Sequence, residues 1–297
     1  MMTNLLLKGL LNGVGVGVMA YLAACLALVA GQNRLIFKPS PRVETTPADL
    51  GLAYEDVWLS VVTSQGKRSK IHGWWLGSGN YQERVLLYLH GNGGNISHNL
   101  GPVKTFQEQG FSVLIIDYRG YGRSQGQFPT ESEVYRDSQA AWDYLVEERQ
   151  IHPQNIFIYG HSLGGAVAID LGVRQPNAAG VIVENTFTSM RDMVAHLGSF
   201  YQLFPTDLIL HQHFDSLNKL RLLQVPLLLI HGTSDRTVPS YMSERLFQEA
   251  RVPKKMLLVP DASHNNVGAI AAEEYVRILQ EFEQLVHHNQ RKLALEL

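Results

Sequence analysis

The stretch Ile156-Phe157-Ile158-Tyr159-Gly160-His161-Ser162-Leu163-Gly164-Gly165-Ala166 decides how the chain is read. Ile156–Tyr159 is a short, wholly apolar run of the kind that fills a strand buried on both faces, and Leu163 to Arg174 carries helical spacing. Between them, Gly160-His161-Ser162-Leu163-Gly164 compresses the passage from strand to helix into one sharp turn. Such a turn strains the serine backbone and brings strand and helix so close that the positions two before and two after it must lack side chains. Gly160 and Gly164 meet that demand, and Gly165-Ala166 keep the first helical turn small. A bare Gly-x-Ser-x-Gly recurs by chance; a strand before it and a helix after it make it a nucleophile elbow.

On either side of the elbow, further apolar runs occur at Val85–Leu89, Val113–Asp117, Val181–Glu184, Leu227–Ile230 and Met256–Val259. Upstream, Tyr54 to Thr63 and Ser69 to Leu76 read as two strands paired antiparallel through the polar turn Ser64-Gln65-Gly66-Lys67-Arg68. Helical stretches lie between the later runs; one starts at the capping box Thr130-Glu131-Ser132-Glu133 and reaches about Glu148. Strands that are apolar throughout belong in a parallel sheet covered on both faces by helices. The expectation is a three-layer α/β domain over residues 54–288, with a mostly parallel eight-stranded sheet, a short helical cap at about 186–223 and a tail at 289–297.

Composition narrows the class. The 297 residues are 45% apolar and 18% charged, which excludes a disordered, collagen-like or disulfide-stapled chain. A formal charge of −2 and a pI of about 6.6 give no basic stripe, so no nucleic-acid partner is expected. Cys25 is the single cysteine, and no Cys/His cluster has zinc spacing, so neither metal nor cofactor is expected. The apolar residues are unevenly spread: from Leu5 to Ala30 the one charge is Lys8, and Gly13 to Gly31 has the length that crosses a bilayer core of ~30 Å. Residues 1–31 therefore read as a membrane anchor, followed by a proline-bearing linker at 32–53. The rival is a cleaved signal segment, for which Lys8 and the processing-box-like Leu22-Ala23-Ala24-Cys25 speak. The apolar run continues past Cys25 without a small-x-small cleavage site, which favours retention. Lys8 on one side against Arg34, Lys38 and Arg42 on the other is a difference too small to fix the side of the membrane.

A serine hydroxyl needs a general base, and the base needs a carboxylate to orient it. For Ser162 the best-placed base is His264, in Asp261-Ala262-Ser263-His264-Asn265-Asn266 after the last apolar run. Asp235, in Gly232-Thr233-Ser234-Asp235-Arg236-Thr237-Val238-Pro239, precedes that element and completes the chain order serine, acid, histidine. Glu184 at another strand end is the alternative acid, and a helix-terminal role before Pro239 is the bland reading of Asp235. The oxyanion donors expected are the backbone N–H groups of Leu163 and of Asn92, the latter within His90-Gly91-Asn92-Gly93-Gly94-Asn95. Gly91 lets that loop approach a ligand closely, and His90 reads as a scaffold residue. A phosphate loop would need a Lys-Ser/Thr that is missing here.

Taken together, His90–Asn95, Asp117-Tyr118-Arg119-Gly120-Tyr121-Gly122-Arg123-Ser124, Gly160–Gly165, Glu184–Ser189, Phe214-Asp215-Ser216-Leu217 and Pro226–Pro239 resemble the α/β-hydrolase superfamily. More narrowly they resemble its membrane-anchored, small-capped Bem-type branch, similar to serine aminopeptidase-like and monoacylglycerol-lipase-like hydrolases. The resemblance covers about residues 34–285 and implies a serine hydrolase with catalytic Ser162, Asp235 and His264. It supplies no substrate.

Specificity belongs to the cap, where Met190, Met193, Leu197, Phe200, Tyr201, Leu203 and Phe204 recur; they read equally as packing and as an apolar lid. His211 and His213, two apart on a helix, would not converge on a metal. The expected activity is hydrolysis of carboxylic esters or thioesters, with a small-molecule or lipid acyl ester as substrate and the membrane as the other partner. A serine aminopeptidase is the alternative enzyme; it would need an acidic anchor for the substrate amine, for which Asp192, Asp207 and Asp215 are available. A catalytically silent, membrane-tethered binding protein is the alternative outside enzymology.

Overall fold

The computed structural model describes residues 2–62, 66–79, 84–198 and 200–295. Eight strands form one sheet: β1 (Glu55–Val62), β2 (Arg68–Leu76), β3 (Val85–Leu89), β4 (Ser112–Ile116), β5 (Ile156–His161), β6 (Gly180–Glu184), β7 (Leu227–Gly232) and β8 (Lys254–Val259). Their order across the sheet is β1-β2-β4-β3-β5-β6-β7-β8. β2 runs antiparallel to both β1 and β4, and every pairing from β4 to β8 is parallel. Of the turn expected between β1 and β2, Ser64 and Gln65 lie outside the described residues.

The strand sequences explain their places. β3, β4 and β6 are buried at every residue, as the unbroken apolar runs require, whereas β1 alternates exposed and buried because it is an edge with one face covered. Ten helices complete the chain: α1 (Met2–Ile36), α2 (Leu100–Glu108), α3 (Glu131–Asp143), α4 (Leu163–Arg174), α5 (Met190–His196), α6 (Thr206–Ile209), α7 (Ser216–Leu220), α8 (Tyr241–Glu249), α9 (Val267–Ile270) and α10 (Ala272–Leu295), counted among the described residues. α3, α4 and α8 pack Val134, Trp142, Val167, Ile169 and Met242 on one face of the sheet. α2 and α10 pack Phe106, Tyr275, Leu279 and Phe282 on the other. There Phe106, Phe111, Phe157 and Phe282 form a chain of edge-to-face rings. Each such fully buried side chain contributes about 1.5–3 kcal/mol by leaving water. Glu133 accepts the Thr130 amide at 3.0 Å to start α3, and a single π turn, Tyr144–Glu148, carries that helix to its expected end.

Two boundaries differ from the sequence reading. α1 does not stop at Gly31 but continues to Ile36, because Gln32 and Asn33 interrupt the apolar run without breaking helical geometry. The chain is tied down as soon as it leaves that helix: Phe37 is fully buried against Phe214, and Lys38–Pro39 pairs parallel with Gly93–Gly94. At the other end, α10 runs through residue 288 to Leu295, so the expected tail is helical up to there. The segment 186–223 holds α5, a 3-10 turn at Tyr201–Leu203, α6 and α7 beside the carboxyl ends of the strands.

Candidate active site

Ser162 leaves β5 with φ +54° and ψ −119°, a left-handed backbone that a non-glycine residue holds only when its surroundings force it. Those surroundings are steric. A Cβ on Gly160 would lie 2.1 Å from the Gly164 carbonyl oxygen, and one on Gly164 would lie 2.0 Å from that of Leu89. The turn is pinned by the Ser162 amide donating to the Glu184 carbonyl at 2.9 Å and by the Thr186 hydroxyl donating to the Ser162 carbonyl at 2.8 Å.

Three chain-distant side chains meet there. His264, in the loop after β8, places Nε2 3.0 Å from Ser162 Oγ. Its Nδ1 lies 2.6 Å from Oδ2 of Asp235, in the loop after β7. A carboxylate accepts from Nδ1–H, which leaves Nε2 as the acceptor facing the serine hydroxyl. The other oxygen, Oδ1, accepts the Thr237 and Val238 amides at 2.8 and 2.9 Å, so Asp235 caps its own turn rather than a helix; α8 begins later, at Tyr241. Burial works against a charge on Asp235, but hydrogen bonds from His231, His264 and the Val238 amide outweigh it and hold the carboxyl well below the usual carboxylate range. Glu184, the alternative acid, is engaged elsewhere: its Oε2 accepts the hydroxyls of Tyr159 and Tyr275 at 3.0 and 2.8 Å in a buried cluster.

Sequence reasoning missed the groups that hold this arrangement. Asn185, fully buried and at φ +48°, accepts the Gly232 amide on Oδ1 at 2.9 Å and donates from Nδ2 to the His264 carbonyl at 2.7 Å. His161, inside the elbow itself, donates from Nε2 to that same carbonyl at 2.9 Å, with its ring 5.0 Å from the His264 ring. Burial lowers the His161 pKa and keeps the imidazole neutral. His231, fully buried, lies with Nε2 2.8 Å from the Val238 carbonyl and Nδ1 2.7 Å from the Ser243 hydroxyl, bracing the Asp235 turn. An asparagine at a strand end, suited to a left-handed φ, was the available signal for Asn185.

On the opposite side, Gly91 brings its backbone against Ser162; a Cβ there would sit 3.5 Å from the serine Cβ. Asn92 is fixed through its carbonyl, which accepts the Lys38 amide at 2.9 Å and the Tyr121 hydroxyl at 2.7 Å. Leu163 is the first residue of α4, where the helix offers its N–H no acceptor. Asn92, Ser162 and Leu163 line one cavity of about 710 Å³. His90 is fully buried, with Nδ1 2.7 Å from the Gly91 carbonyl and its ring against Tyr118 and Tyr121. Arg119 pairs with Asp137 and Glu133, fixing the Asp117–Ser124 loop to α3.

The cap residues divide. Met190, Met193, Leu197, Tyr201 and Phe204 line the cavity, whereas Phe200 and Leu203 project outward. His211 and His213 lie in the extended stretch before α7 and not on a helix; their amides donate to Gln32 Oε1 and Glu131 Oε2.

Over 291 residues the chain is 30% identical to the alpha/beta hydrolase domain-containing protein WAV2 of Arabidopsis thaliana, covering 91% of this chain and 93% of that one. The chain belongs to the α/β-hydrolase family. Within it, this α/β-hydrolase sits in the Bem-type branch: it is 35% identical over 205 residues to protein bem46 of Schizosaccharomyces pombe, covering 67% of this chain and 66% of that one. Residues 81–220 of the hydrolase match the family model described as serine aminopeptidase, S33. Among solved structures its fold is shared with the Pyrococcus furiosus esterase Pf2001, with a TM-score of 0.67 at 22% identity over 83% of this chain and 98% of that one.

Proposed function

We propose that this α/β-hydrolase is a serine hydrolase that cleaves carboxylic esters or thioesters of lipid or acylated molecules through a covalent acyl-enzyme. The observation that carries the reading is the unbroken relay from Ser162 Oγ through both nitrogens of His264 to Asp235. In the forward step His264 Nε2 accepts the hydroxyl proton as Oγ attacks the acyl carbonyl, and Asp235 stabilises the resulting imidazolium. The amides of Leu163 and Asn92 receive the oxyanion, a contribution of about 3–4 kcal/mol per donor. Collapse expels the alcohol or thiol, which takes the proton from His264. Water then attacks the acyl-enzyme with His264 again as base, and Ser162 recovers its proton.

The cavity favours an acyl group over an amino-terminal peptide. An aminopeptidase would set a carboxylate near the substrate amine, and among the described residues no Asp or Glu lines the cavity. The three candidates are occupied: Asp192 accepts from Thr188 and Arg245, Asp207 pairs with Arg191, and Asp215 caps α7 by accepting the Asn218 amide. α1, whose segment Leu11–Ile36 is long and apolar enough to cross a membrane, serves in this reading as a retained single-pass anchor.

A fluorophosphonate probe tests the reading. Labelling of the wild type at Ser162, its loss in Ser162→Ala, and faster turnover of acyl esters than of aminoacyl amides are expected. Folded protein that takes no label would leave a binding protein in place of an enzyme, and faster amide turnover would replace the esterase reading by an aminopeptidase.

A further inference from the structure

α1 is not simply a tether. Leu28, Leu35 and Ile36, on its last turns, form a wall of the cavity that holds Ser162. Gln32, buried between them, is clamped to the cap: its Nε2 donates to the Ile209 carbonyl at 3.1 Å, and its Oε1 accepts the amides of His211 and Gln212 at 2.8 and 3.2 Å. The Ile36 carbonyl in turn accepts the Asn92 side-chain amide at 2.9 Å, so the end of the apolar helix is bonded directly to the loop beside the nucleophile.

The cap also climbs the helix. The Tyr21 hydroxyl donates to the Leu203 carbonyl at 3.0 Å, and the Tyr21 and Phe204 rings stack at 5.8 Å. Tyr21 stands roughly 22 Å of helix before Ile36, well inside the apolar segment Leu11–Ile36. A bilayer that takes up that segment must therefore meet the tip of the cap. Large apolar side chains stand uncovered there: Phe200, Leu203 and Leu208 are 64%, 67% and 79% exposed, with the Arg191–Asp207 ion pair near Leu208, and Leu22 and Leu26 are exposed on α1. An exposed apolar surface continuous with a membrane-length helix has the composition of an interfacial contact.

Charge supplies the remaining constraint. Arg34, Lys38 and Arg236 are exposed residues that line the same cavity; Arg34 lies over the Phe128 ring at 5.6 Å, and none of the three has a carboxylate partner among the described residues. With no carboxylate on the walls among the described residues, the mouth combines an apolar bed with three cations that no carboxylate neutralises there.

We propose that the cavity opens toward the bilayer between α1 and the cap and draws its substrate from there, an acyl ester whose head carries an anionic group such as a phosphodiester. The acyl chain lies between the end of α1 and the cap, its carbonyl reaches Ser162, and the anion meets the rim cations. The inference rests on the serine-hydrolase reading and on α1 as a membrane helix, and it adds the source and charge of the substrate.

The test uses the full-length protein reconstituted in phosphatidylcholine vesicles. Three esters are compared: long-chain phosphatidylglycerol in the vesicle, neutral diacylglycerol in the vesicle, and monodisperse dibutyryl-phosphatidylglycerol in water. Phosphatidylglycerol in the vesicle is expected to turn over at least tenfold faster than either of the others. The combined variant Phe200→Glu, Leu203→Glu, Leu208→Glu is expected to lower the ratio of vesicle to soluble rates at least tenfold. Equal rates on the two vesicle substrates would overturn the role of the rim cations. Equal rates on vesicle and soluble phosphatidylglycerol, or a ratio unmoved by the cap variant, would overturn entry from the bilayer. Either result, with Ser162 still labelled by fluorophosphonate, leaves the hydrolase reading standing; loss of labelling and of all three activities removes both.

Discussion

Asn185 holds His264 by its backbone: the asparagine Nδ2 donates to the His264 carbonyl across 2.7 Å, while its Oδ1 takes the amide of Gly232 at the end of β7. One side chain thus ties the His264 loop to the ends of two strands. Asn185→Ala is expected to lower kcat by about 10²-fold with little change in KM, because a shift of order 1 Å in a reacting group costs that much. It also orphans a buried amide, which costs about 1–3 kcal/mol. Steady-state kinetics with a soluble ester, beside a denaturant titration, check both; a loss confined to stability would make Asn185 purely structural.

Two carboxylates competed for the orienting role, and their partners separate them. Asp235 meets His264 directly, whereas the Glu184 carboxylate accepts the hydroxyls of Tyr159 and Tyr275. Asp235→Asn is expected to reduce kcat by about 10⁴-fold, since an amide there favours the wrong imidazole tautomer. Glu184→Gln should stay within about tenfold of wild type. The reverse ranking in a kcat comparison would reassign the acid.

The elbow glycines are not equivalent. A Cβ on Gly164 would meet backbone oxygen at 2.0 Å, while one on Gly91 has nothing nearer than 3.4 Å. Gly164→Ala is expected to lose more than about 3 kcal/mol of stability, as strand and helix cannot separate without rebuilding the turn. Gly91→Ala is expected to fold with a loss under about 1 kcal/mol. Thermal denaturation of the two variants side by side decides it, and similar melting would contradict the tight strand–helix contact.

Acid should weaken the fold in two windows. Burial lowers the His161 pKa, so the unfolded chain takes a proton near the ordinary value of ~6.5 that the folded protein refuses, and stability falls as pH drops below it. Asp235 is depressed in the opposite chemical sense, as a carboxylate stabilised by its hydrogen bonds despite burial. Its contribution is fully present above the unfolded value of ~3.9 and is lost as pH falls through the lower folded value. Tm measured against pH is expected to show His161→Gln gaining on wild type below about 6.5, and the gap between wild type and Asp235→Asn narrowing below about 4. Gaps independent of pH would refute the assignments.

Much of this molecule is written in local sequence. Val85–Leu89 and Leu227–Ile230 are apolar at every position because both faces of their strands are covered, and that needs no knowledge of the neighbours. Gly160 and Gly164 are equally legible, since the space they vacate is dictated by the turn between them. The chain order of Ser162, Asp235 and His264 came from loops at successive strand ends.

The sequence by itself therefore determined the layered sheet, the elbow and the three residues that could meet at it. The tertiary structure alone decided that they do meet, that Asp235 and not Glu184 faces His264, and that Asn185 and His161 share the His264 carbonyl. It alone turned α1 from an apolar segment of membrane length into a wall of the cavity. The physical reason is range: periodicity and steric demand act between residues a few positions apart, whereas Gln32 finds the cap amide of His211 across 179 positions, a contact that exists only after the sheet has brought both ends to one edge.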